Sequence, residues 1–123
     1  MWKDIHVTIL PFLENALNEH KKVKGFEKIE TENEFLYNIK RIWKKDIKIW
    51  VCDAYSFNEY DYYNKPQNID FIYIAKPEAT YSYDLLNVIK QDWINIGSFW
   101  ALMWILWQDN IKDYIPPERR EKK

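Results

Sequence analysis

Phe71-Ile72-Tyr73-Ile74-Ala75 is an unbroken apolar run between Asp70 and Lys76-Pro77. A strand with one face in water alternates polar and apolar residues. A run without alternation belongs to a strand covered on both faces, hence a central one. Upstream, Ile47, Ile49 and Val51 alternate with more polar residues before Asp53, the pattern of a half-buried strand. The link from Asp53 to Asn68 is long enough for a crossover, so the two strands are expected to run parallel. It is rich in Tyr and Asn, contains Pro66, and reads as an ordered crossing with a helical turn near residues 56–62.

Phe35, Tyr37 and Ile39 alternate in the same way, predicting a strand over residues 35–43 and a hairpin turn at Lys44-Lys45-Asp46. The acidic stretch before it has room for a short strand at 26–29. Ile9, Leu10, Leu13, Ala16 and Leu17 recur at helical spacing and predict a helix over residues 7–22, with Thr8 as its cap and Gly25 as its stop. Beyond the central strand, Ser82 caps a second helix carrying Leu85, Leu86, Val88 and Ile89. Residues 93–97 break it, and a third helix over 98–111 is apolar nearly all round. The expected fold is one α+β domain over residues 1–115, a mixed sheet of three to four strands flanked by an N-terminal helix and two C-terminal helices. Residues 116–123, opening with Pro116-Pro117, read as a charged, disordered tail.

The chain of 123 residues fits one domain, and 47 % hydrophobic with 30 % charged residues is a globular balance. Seven Trp, nine Tyr and six Phe supply bulky core material despite the short chain. Eighteen Lys+Arg against nineteen Asp+Glu leave a net charge of −1, which selects neither nucleic acid nor membrane. One cysteine excludes an intrachain disulfide, and the two glycines, Gly25 and Gly97, exclude a glycine-rich phosphate loop. Met1 to His6 carries no signal-peptide pattern, and the apolar stretch from Trp93 to Trp107 falls short of the roughly 20 residues that span a bilayer. A cytoplasmic protein with no membrane partner is expected.

In sheets with parallel neighbours, sites form outside the carboxyl ends of the strands. The two most apolar strands end in Asp53 and Lys76, with Glu78 two residues further. As parallel neighbours they would bring Asp53, Lys76 and Glu78 to one rim. Asp53 and Glu78 would then be the ligands of a divalent metal, and Lys76 would activate water or steady an anion. A strand-end salt bridge is the alternative reading of the same residues.

The element order is similar to that of the restriction-endonuclease-like nucleases, whose core is a helix, a strand meander, a helix and a further strand. Their motif is an Asp on one strand and Asp/Glu-x-Lys on the next, which Asp53 followed by Tyr73-Ile74-Ala75-Lys76 resembles. Ile74 stands where that family's second carboxylate belongs, so Glu78 would substitute from beyond the strand. Asp46-Ile47-Lys48 with Glu34 upstream carries the motif's letters at a strand's start. The resemblance implies a metal-dependent phosphodiester hydrolase.

Three further groups are candidate surfaces. Lys40, Arg41, Lys44, Lys45 and Lys48 interleave with Tyr37, Trp43 and Trp50, a composition that grips single-stranded nucleic acid through phosphate contacts and stacking. The same lysines equally suit a solvated hairpin tip. Seven of the nine tyrosines fall between Tyr55 and Tyr83, and Tyr55, Tyr60, Tyr62 and Tyr63 are candidate binding residues. Trp93, Trp100, Trp104 and Trp107 fall on one helical face; a helix apolar all round is either central or packed on another subunit, which makes Trp100, Trp104 and Trp107 candidate interface residues. His6 and His20 are too isolated to be ligands, and Cys52 reads as a buried thiol. The leading expectation is a binding or assembly protein that uses aromatic surfaces and self-associates. A metal-dependent hydrolase and a single-strand nucleic-acid binder are the alternatives.

Overall fold

A computed structural model describes residues 8–31, 34–52, 57, 59–75 and 83–109. Among them, in chain order, are α1 (Ile9–Glu19), β1 (Val23–Glu30), β2 (Phe35–Arg41), β3 (Lys44–Cys52), α2 (Glu59–Tyr63), β4 (Phe71–Ile74), α3 (Tyr83–Gln91), β5 (Asn95–Gly97) and α4 (Phe99–Ile105). The strands lie side by side in sequence order. β1, β2 and β3 form an antiparallel meander, and β3, β4 and β5 run parallel.

Side-chain alternation sorts the sheet into two faces. Tyr37, Ile39, Ile47, Ile49, Phe71 and Tyr73 point to one side, where Leu13 and Leu17 of α1 and Leu102 and Ile105 of α4 close a core. Leu36, Trp50, Cys52, Ile72 and Ile74 point to the other, against Tyr62 of α2 and Leu85 and Ile89 of α3. All four residues of β4 are buried, because helices cover both its faces.

The sheet has five strands where three or four were expected. β1 is a full eight-residue edge strand rather than a short piece at 26–29. A register shift between Val23 and Gly25 breaks its alternation, so Val23 and Phe26 reach one core and Ile29 the other. β5 occupies the expected helix break; three residues, two of them Asn and Gly, carry no strand signal. Gly25 lies inside β1 opposite Lys40, and α1 already ends at Glu19 with His20 as its extended cap. Thr8 makes no side-chain capping bond. Ile42-Trp43 makes the β2–β3 turn, placing Lys44, Lys45 and Asp46 in β3. Trp93 sits in the turn after α3 with φ of 65° and does not share the face of α4. The 116–123 tail and the Ser82 cap lie outside the described residues. No helix among the described residues is long and apolar enough to cross a membrane.

Candidate functional site

α1 and α4 lie on the same face of the sheet, and each buries only part of its apolar surface. Leu13 and Leu17 point inward from α1, leaving Phe12 outward at 54 % exposure. In α4, Ala101, Leu102 and Ile105 point inward, while Trp100 and Trp104 stand 68 % and 52 % exposed and Trp107, just beyond, 41 %. Positions three and four apart share a helix face, which is why the three indoles line up. Between the helices runs an open groove of about 460 Å³. Ala16, Glu19, His20 and Lys21 line its α1 side, and Trp100, Met103, Trp104 and Trp107 line its α4 side.

Ring contacts hold the aromatic wall in place. Phe12 meets Phe99 at a centroid separation of 4.8 Å, and Phe99 meets Trp100 edge-on at 5.2 Å. At the far end Trp107 packs on His20 at 5.4 Å, with the Lys22 ammonium 5.3 Å from its centroid. His20 is itself fixed. The Lys22 backbone N–H donates to its Nδ1 at 3.0 Å, so the ring proton is on Nε2 and is donated to the Met103 carbonyl at 3.0 Å. One imidazole thus joins the end of α1 to α4.

The β2–β3 turn stands beside this end of the groove. The Ile42 backbone N–H donates to the Lys22 carbonyl at 2.9 Å. Lys44 pairs with Asp109, whose carboxyl that ammonium holds below its ordinary pKa. Arg41, buried, donates to three backbone carbonyls, among them Leu106 and Gln108. At the tip Trp43 has φ of 64° and is 97 % exposed.

The other candidates divide. Asp53, Tyr55, Lys76 and Glu78 lie outside the described residues. The strands that precede the rim are parallel neighbours: Cys52 registers with Ile74, and the Ala75 N–H donates to the Cys52 carbonyl at 2.8 Å. The set of Glu34 with Asp46-Ile47-Lys48 is pulled apart, because Phe35 registers with Val51 and Asn38 with Lys48. Glu34 and Asp46 therefore sit at opposite ends of the β2–β3 ladder, separated by about 20 Å at ~3.3 Å per residue. Asp46 instead accepts from Asn38 Nδ2 at 3.3 Å. Among the described residues no group of three or more His, Cys, Asp or Glu is placed to hold a metal ion.

Tyr60 and Tyr63 are exposed, whereas Tyr62 is buried and its hydroxyl donates to Asp92. Of the aromatics interleaved with the β2–β3 lysines, Tyr37 and Trp50 are buried and Trp43 alone faces solvent. Cys52 is enclosed, and burial pushes its thiol well above its ordinary pKa, so it carries no thiolate to react.

Sequence reasoning passed over Phe12 and weighed His20 only as a metal ligand. Phe12 falls outside the Leu13–Leu17 stripe, an offset visible in the sequence, but the role of His20 depends on a contact 83 residues away. Comparison with protein-family models, with curated proteins and with solved structures finds no match to this chain.

Proposed function

We propose that this chain is a binding and assembly protein whose working surface is the groove between α1 and α4, and whose partner is a second copy of itself. The observation that supports it most is the side-by-side exposure of Trp100, Trp104 and Trp107 along one groove, with exposed Phe12 packed on Phe99 of its wall. Contiguous apolar patches of this kind mark interaction sites, since leaving large rings in water forgoes about 25 cal/mol for each Å². The surface is also self-complementary in kind. It carries projecting indoles beside a hollow, and Glu19 beside Lys21, so a second copy meets apolar and charged features of both kinds there.

Sedimentation velocity over a range of protein concentrations tests this. Wild type is expected to associate, and Trp100→Ser with Trp104→Ser to shift it to monomer with an unchanged circular dichroism spectrum. A wild type that stays monomeric throughout refutes the reading.

A second reading, metal-dependent phosphodiester hydrolysis, is supported by the parallel pairing of β3 with β4, whose ends precede Asp53 and Lys76. Titration with Mg²⁺ or Mn²⁺ is expected to give binding that Asp53→Ala abolishes. Absence of binding at millimolar metal removes this reading.

A further inference from the structure

We infer that the occupant of the α1/α4 groove is the β2–β3 hairpin tip of a second copy, with Trp43 as the inserted side chain. This rests on the groove being a self-assembly surface and names the element that fills it.

Trp43 is the most exposed of the large hydrophobic residues described, at 97 %, and it holds a left-handed backbone with φ of 64°. That conformation is strained for a bulky L-residue, and turns that require it ordinarily place Gly or Asn there. Within one copy the indole gains almost no burial in return. A residue that is strained and solvated in the monomer has its contacts elsewhere.

The tip is held ready for insertion. Arg41 anchors one side of the turn to the Leu106 and Gln108 carbonyls, Lys44 pairs with Asp109 on the other, and the Ile42 N–H is bonded to Lys22. A side chain carried on a fixed turn loses less freedom on docking than one on a loose loop, a condition that favours an anchor residue.

Tip and groove also match in chemistry. The groove offers the faces of Trp100 and Trp104 and the thioether of Met103, surfaces against which an indole packs well. Lys40 and Lys45 flank the tip, both exposed, and Glu19 stands on the groove's rim as an acidic counterpart. A slot and its key are thus present side by side on one chain, which lets two copies engage by exchanging tips or by stacking head to tail.

The test uses Trp43→Gly, which removes the key and suits the backbone, and Ala16→Arg, which fills the slot from a half-buried helical position. Sedimentation velocity is run on each variant, on an equimolar mixture, on wild type and on Trp104→Ser, with circular dichroism as the fold control. Each variant alone is expected to weaken association at least about tenfold. The mixture is expected to recover a dimer, because an intact tip then meets an intact groove. Loss of association in Trp104→Ser but not in Trp43→Gly overturns the tip as occupant while leaving the groove as the interface. A monomeric wild type overturns both. A monomeric wild type that binds a single-stranded oligonucleotide, with Trp43→Gly abolishing that binding, gives the tip a nucleic-acid partner and overturns the inference too.

Discussion

Arg41 and Gln108 lie 67 residues apart in the chain, and Arg41 Nη1 donates to the Gln108 carbonyl at 2.7 Å. The same nitrogen reaches the Leu106 carbonyl at 3.3 Å, and Nε donates to Lys45 at 2.8 Å. The last carbonyls of a helix have no partner within it, and a cation there also meets the negative end of its dipole. A guanidinium supplies several donors from one rigid plane, which lysine does not. Burial pulls its pKa down, while Asp109, Asp70 and Asp46 pull it back up. The bond fixes the end of α4, and with it the end of the groove, to the hairpin that bears Trp43.

Replacing Arg41 therefore loosens both. Arg41→Met strips the partners from three backbone carbonyls and is expected to destabilise the fold by about 2–4 kcal/mol. Arg41→Lys restores the charge without the fork and should recover less than half of that. Urea denaturation measures both, and a lysine variant as stable as wild type would show that charge alone suffices.

The tyrosines set an alkaline limit. Burial is the largest cause in each case, and it raises the hydroxyl pKa of Tyr37, Tyr62 and Tyr73 above 10, that of Tyr73 to about 12. Tyr37 also donates to Glu14 Oε2 at 2.6 Å, and Tyr62 donates to Asp92. Above pH 10 the unfolded chain gives up protons that the folded chain keeps, so stability falls as pH rises. It is fully present below pH 10 and declines from there through pH 12. Tyr73→Phe is expected to flatten the slope of unfolding free energy between pH 10 and 12. A parallel slope in that variant excludes Tyr73 as a source.

How far the sequence reveals this fold depends on the reach of each interaction. The apolar run 71–74 and the alternation of Ile47, Ile49 and Val51 are local patterns, and they disclose a strand covered on both faces and its parallel neighbour, although β3 and not β4 is the middle strand of the five. β5 is not legible, because Asn95 and Gly97 are held by pairing to β4 and not by their own preference. The hairpin turn falls two residues earlier than lysine composition suggests, since the Arg41 and Lys44 contacts with the segment after α4 decide where the chain reverses. For the groove, the spacing of Trp100, Trp104 and Trp107 is visible in sequence. Which of the apolar faces of α4 meets the sheet is decided by Leu102 and Ile105, and the spacing of the tryptophans does not show it.

Gly25 gives a direct check on that reading. As a helix stop it would need a left-handed backbone and resist substitution. It lies in β1 without positive φ, and a Cβ there meets nothing within 4 Å. Gly25→Ala is thus expected to stabilise the protein by about 0.4–1 kcal/mol, through lost freedom of the unfolded chain. Thermal denaturation would contradict this with a lowered midpoint.

The two faces of α4 should respond unequally to truncation. Leu102 is fully buried between α4 and the sheet, so Leu102→Ala opens a cavity and is expected to destabilise by about 2–5 kcal/mol. Trp104 removes a larger side chain, yet it is half exposed on the groove and Trp104→Ser should lose about 1 kcal/mol or less. Equal losses in chemical denaturation at low protein concentration would mean that the indole packs within the monomer.

Trp43 carries the sharpest consequence, because here stability and assembly are expected to move in opposite directions. A left-handed backbone disfavours an L-residue by about 1–2 kcal/mol relative to glycine. Glycine returns part of this, about 0.5–1 kcal/mol, through the greater freedom of its unfolded chain. An indole 97 % exposed has next to no monomer burial to lose. The balance leaves Trp43→Gly more stable than wild type by up to about 1.5 kcal/mol when both are measured as monomers, with an unchanged urea m-value. A variant less stable than wild type by more than about 1 kcal/mol would place the indole in contacts of its own chain, and the strain at the turn would then have its compensation within one molecule.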